Sequence, residues 1–148
     1  MKMNLTKIDL KVINLFKKIY IPTGRISLFI IFFWFGALKV FGTSPANPLV
    51  ENLLHKTLPF ISFSKFIIFF GLLEMFLGIL FVIKGAEQIL ITLLALHMFT
   101  TTLPLIFLPQ ITWQGFLTPT LEGQYIIKNL AIIALAITIY SQQKTDKK

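Results

Sequence analysis

Six ionisable side chains fall inside or at the edges of long apolar runs: Arg25, Lys39, Glu74, His97, Glu122 and Lys128. Amine, carboxylate and imidazole groups together can hold a proton or pass it on. In hydrocarbon each also needs a partner, because a charge at mid-bilayer costs roughly 2.5–3.5 kcal/mol on insertion scales. Glu74 is the clearest case. It stands near the middle of the eighteen-residue apolar stretch Phe66–Ile83, whose length at about 1.5 Å per residue nearly matches the ~30 Å hydrocarbon core of a bilayer. Gly71 and Gly78 lie three residues before and four after the acid. That face can press closely on another helix while presenting the carboxylate to it.

Depth selects the candidate partners. Glu74 and His97 are each nine residues from the end of their apolar runs on the side that carries the termini, so they are level. Lys128 is twelve residues from Tyr140, and Lys39 fourteen from Arg25. A flexible lysine stem can close a few ångströms of that difference. The spacing therefore predicts a buried polar cluster around Glu74, with Lys39, His97 or Lys128 as its partner. The alternative is that these charges only hold helices together or snorkel to the surface.

Other chemistries are set aside by residue type. There is no cysteine, so disulfides, thiol redox chemistry, Fe–S clusters and zinc-thiolate sites are excluded. Only two histidines exist, His55 and His97, one in a loop and one near mid-membrane, so a bis-histidine haem is not expected and no metal site is predicted. No phosphate-binding glycine loop, nucleophile elbow or zinc motif is present.

The elements that must position these residues follow from composition and pattern. Hydrophobic residues make up 55% and charged residues 14% of 148 residues, with a mean hydropathy of +0.80. These values predict an all-α integral membrane four-helix bundle with an N-terminal amphipathic helix and a short outer-loop helix. Residues 1–23 form the amphipathic segment, with Leu5, Ile8, Val12, Leu15, Phe16 and Ile19 at helical spacing and lysines between them. Pro22-Thr23-Gly24 is expected to break that helix. The membrane domain then occupies 24–140, with spans near 24–41, 64–83, 88–108 and 123–140, and 141–148 is a polar tail. On the first span Arg25, Gly36 and Lys39 share a narrow arc. Asn47-Pro48 starts the loop helix, with Asn47 as N-cap. Pro104 is expected to kink the third span, and a threonine or a neighbouring helix can satisfy the carbonyl it frees.

Charge placement gives orientation. The net charge of +8 suggests no nucleic-acid partner, because the basic residues flank spans. Ten Lys/Arg lie on the side of the termini against four on the other, which predicts a multi-pass plasma-membrane protein with both ends in the cytoplasm.

The motifs Arg25 with Phe33-Trp-Phe-Gly-Ala-Leu-Lys39, Gly71-Leu-Leu-Glu74-Met-Phe-Leu-Gly78 and Gly123-Gln-Tyr-Ile-Ile-Lys128-Asn-Leu resemble the DoxX-like family of small bacterial membrane proteins. The likeness covers roughly residues 25–140. It implies a four-helix domain in the bacterial inner membrane and a link to respiratory or quinone-coupled redox systems. A quinone is then the cofactor class to test, and a membrane oxidoreductase or a second copy the partner besides the lipid bilayer. Trp34, near the depth of Glu74 and His97, is expected to help house a lipophilic ring. A small proton-coupled transporter and a non-catalytic assembly partner are the alternative readings.

Overall fold

The computed structural model describes residues 7–145. In chain order the elements are α1 (Lys7–Val40), α2 (Asn47–Thr57), α3 (Phe63–Val82), α4 (Glu87–Thr102), α5 (Pro104–Phe107), α6 (Pro109–Thr112), β1 (Trp113–Gly115), β2 (Thr118–Pro119) and α7 (Leu121–Thr145). Among the described residues, four helices are long and apolar enough to cross a membrane: Ile8–Val40, Phe63–Val82, Glu87–Phe107 and Leu121–Gln142. The fold is a helical bundle of these four, as the sequence predicts.

Which face of each helix turns inward is set by small and polar residues, since apolar residues occur all round. On α3, Ile67, Gly71, Glu74, Gly78 and Phe81 are buried in alternating steps of four and three, a seam of period 3.5, with Leu77 and Leu80 buried beside it. Phe69, Leu72, Phe76 and Val82 point outward. On α1 the inward row is Arg25, Leu28, Phe32, Gly36 and Lys39. These two seams approach to backbone contact. A Cβ added to Gly71 would lie 2.7 Å from the Gly36 carbonyl oxygen, and one added to Gly36 would lie 2.5 Å from that of Gly71. The backbones touch there because neither residue has a side chain. Below this contact, Leu28, Phe32, Leu77, Phe81, Leu94, Met98, Ala136 and Ile139 form the apolar core shared by α1, α3, α4 and α7.

The structure corrects the sequence reading in several places. The helix does not break at Pro22-Thr23-Gly24: α1 runs through them as one 34-residue helix. Proline removes one backbone donor and crowds the preceding turn. That penalty did not outweigh a long helical pattern on both sides. Asn47 is the first residue of α2 rather than its cap; Ala46 takes the cap position, and the Asn47 amide donates to the Gly42 carbonyl at 3.3 Å. In the third span α4 ends at Thr102 and α5 starts at Pro104, a one-residue break at the proline where the sequence expects a kink, within one spanning helix Glu87–Phe107. The carbonyl that Pro104 frees, that of Thr100, accepts from the Leu103 amide at 3.3 Å rather than from a threonine, while the Thr100 and Thr102 hydroxyls donate to the carbonyls of His97 at 2.8 Å and Phe99 at 2.7 Å. The last helix continues past Tyr140 to Thr145, into the segment expected to be a tail. Residues 109–122 hold one helical turn and a small antiparallel hairpin, β1 with β2, which the sequence did not reveal. The Trp113 indole donates to the Leu105 carbonyl at 3.0 Å and ties this hairpin to α5.

Gly71→Ala should force α1 and α3 apart and lower stability by about 1–3 kcal/mol. Leu72→Ala on the outward face, one residue away, should change it far less. Thermal unfolding of both variants in detergent checks the difference.

Candidate functional site

The close approach at Gly36 and Gly71 sets the site. Lys39 is one turn beyond Gly36 on α1, and Glu74 one turn beyond Gly71 on α3, so the two side chains leave the same contact. Lys39 Nζ donates to Glu74 Oε2 at 2.6 Å. The other carboxylate oxygen, Oε1, is 3.4 Å from His97 Nε2 on α4. Lys39, Glu74 and His97 are 5%, 5% and 3% exposed. A carboxylate so placed is bracketed by an ammonium on one side and an imidazole on the other.

Aromatic rings fix the imidazole. Phe70, one turn before Glu74, stacks on His97 with centroids 5.1 Å apart and planes at 28°. Phe32 of α1 meets it edge-on at 5.6 Å and 70°. The same Phe70 ring has Lys39 Nζ 5.7 Å from its centroid, within range of a cation–π attraction. The remaining ring nitrogen, His97 Nδ1, is buried and makes no hydrogen bond to any described residue. Buried polar atoms without a partner are few in native proteins, and such an atom is a place to look for function.

Of the six sequence candidates, three are brought together and three are not. Arg25 is buried but belongs to a separate site about 21 Å along α1, fourteen residues from Lys39. Its guanidinium donates to the Phe81 carbonyl at 3.0 Å and pairs with Glu87 at 3.3 Å. The Phe81 carbonyl is one of the last in α3, which has no helical donor left for it. Glu87 Oε1 also accepts from the Gly85 amide at 2.9 Å, in a turn where Gly85 has φ +93°. Arg25 therefore clamps the α3–α4 turn to α1. Lys128 is exposed, two residues and so 200° round α7 from the buried Ile126, with its ammonium 4.9 Å from the Tyr125 ring. Glu122 is exposed in the first turn of α7. Neither belongs to the cluster. Trp34 is 63% exposed and faces away from the bundle, so it does not line the site.

Sequence reasoning missed Glu87, Phe32 and Phe70. Glu87 could have been found by level, since it and Arg25 both sit at the same end of their spans. The phenylalanines carried no signal among sixteen in the chain.

No protein-family model, no curated protein and no solved structure matches this chain.

Lys39→Met should leave the Glu74 charge buried without its cation and lower stability by about 3–5 kcal/mol. Combining it with Glu74→Met should recover most of that loss, because no buried charge of the pair then remains. A double-mutant cycle of thermal unfolding in detergent measures both effects.

Proposed function

We propose that the Lys39–Glu74–His97 cluster is the proton-accepting site of a DoxX-like, quinone-linked membrane protein that serves a partner oxidoreductase. The observation that carries this reading is the unpartnered, buried Nδ1 of His97. A carboxylate facing Nε2 favours the imidazole form with its proton on that nitrogen. Nδ1 then holds a lone pair, ready to accept a proton from a hydroxyl.

The residue types are those a quinol head group needs. His97 offers the acceptor atom, and the Phe32 and Phe70 rings that flank it supply apolar surface for an aromatic ligand. When bound, a quinol provides two protons and two electrons on oxidation, the electrons passing to the partner oxidoreductase. The chain's own groups divide the remaining work. His97 takes one of the two protons at Nδ1, and the other leaves to water. Glu74 stabilises the imidazolium that results, as a carboxylate does beside a catalytic histidine. Lys39 donates directly to Glu74 and offsets part of the cost of a negative charge there. Phe70 and Phe32 hold the ring plane and exclude water, which strengthens each of these interactions.

The resemblance and the ten-to-four basic asymmetry support placement in a bacterial plasma membrane, with both ends cytoplasmic. An alkaline phosphatase fused at residue 148 should be inactive there; an active fusion contradicts this orientation.

Protein purified from native membranes should carry a quinone, and should bind an added short-chain quinol. His97→Phe should weaken that binding about tenfold, equivalent to about 1.4 kcal/mol, while the protein still accumulates. Glu74→Gln should retain binding better than His97→Phe but lose electron transfer to the partner. Equal quinol affinity in wild type and His97→Phe contradicts the proposal.

A further inference from the structure

The N-terminal half of α1 stands apart from the bundle. The Arg25–Glu87 pair marks where the α3–α4 turn closes one end of the four helices. From there Ile8 is seventeen residues further out, or about 25 Å at helical rise. The surplus is greater than a headgroup layer, since hydrocarbon and both headgroup regions together measure about 40–45 Å.

This projecting half is two-sided, apart from Asp9 at the edge of its apolar side and Leu10 on its polar side. At 100° per residue, Ile8, Val12, Leu15, Phe16, Ile19 and Tyr20 occupy an arc of about 140°. Lys11, Asn14, Lys17 and Lys18 fall on the other side. The apolar arc is uncovered: Ile8 is 73%, Phe16 59% and Leu15 55% exposed. A face this wide is expected to be buried against something.

We infer that this half of α1 is a hinged arm that folds at Pro22 onto an anionic phospholipid leaflet. Charge complementarity selects the surface. An amphipathic helix with lysines on its polar side lies with its apolar arc at the acyl boundary and its ammonium groups among phosphates. Packing against the same arm of a second copy would cover the apolar arc but leave the lysines on the outer faces without an anionic partner. Pro22 supplies the bend. Its nitrogen carries no hydrogen, so the helical bond to the Lys18 carbonyl is absent, and its ring crowds that turn. The helix is weakest where the arm leaves the bundle. The straight α1 is one position of the arm, and contact with the leaflet selects the other. This inference is independent of the quinol reading.

The absence of cysteine makes a site-specific test direct. Leu15→Cys in the full chain is labelled with an environment-sensitive fluorophore and placed in nanodiscs. In discs of equal parts phosphatidylcholine and phosphatidylglycerol, the emission should shift to the blue and rise severalfold. In pure phosphatidylcholine it should stay that of a water-exposed label. Raising the salt to about 1 M, where screening acts over about 3 Å, should reverse the change. Adding Pro22→Ala should abolish it, because a complete helix holds the arm straight. A label that stays in water in both lipids leaves the face to a protein and overturns the inference. Protection in neutral discs that disappears on reducing the number of chains per disc assigns the face to a second copy, and also overturns it. An unchanged response in Pro22→Ala overturns the hinge.

Discussion

A carboxylate surrounded by hydrocarbon must be met by a cation at contact distance, and in this protein that requirement organises the bundle. Glu74 reaches Lys39 at 2.6 Å because α1 and α3 approach until their backbones touch at Gly36 and Gly71. The dependence runs in both directions. Without the glycines the helices would stand further apart, and the lysine stem would have to bridge a wider gap. Without the pair, the glycines would bring two helices together around an unpaired charge. Apolar packing alone gives little preference for one helix neighbour over another in lipid, since lipid tails are as apolar as leucine. The ion pair supplies the register that packing lacks.

The second pair has a different duty. Arg25 joins a side chain, a helix-end carbonyl and a turn through Phe81, Glu87 and Gly85. It fixes where α4 begins, and so the depth at which His97 meets Glu74. A shift of one helical position would turn the imidazole by 100° and move its Nε2 away from the carboxylate. The site at mid-depth thus depends on a clamp at the membrane edge. The aromatic contacts add to the same restraint, since Phe70 touches both His97 and Lys39.

Much of this is legible in the sequence. Apolar run length gave four spans, and counting residues from the run ends placed Glu74 and His97 level. The choice of Lys39 over Lys128 was not legible, because it depends on which helices are neighbours rather than on depth. Gly36 and Gly71 held that information only once they were seen to face each other. Arg25 was grouped with the cluster because its arc on α1 is the same as that of Lys39. Position on a helix face says nothing of level, and the two residues are about four turns apart. The continuity of α1 through Pro22 and the hairpin at 113–119 were missed for a common reason. Proline and short polar segments mark where a helix can stop, and tertiary context decides whether it does.

The central claim is that the Glu74 carboxylate sets the state of the His97 ring. Nitrogen-15 NMR of histidine-labelled protein in lipid tests it most directly, with His55→Gln as background to leave a single histidine. The account predicts a neutral ring in wild type with its proton on Nε2 and an unprotonated Nδ1, and a mixture of tautomers in Glu74→Gln. A proton on Nδ1 in the wild type, or a spectrum that Glu74→Gln does not alter, would contradict it.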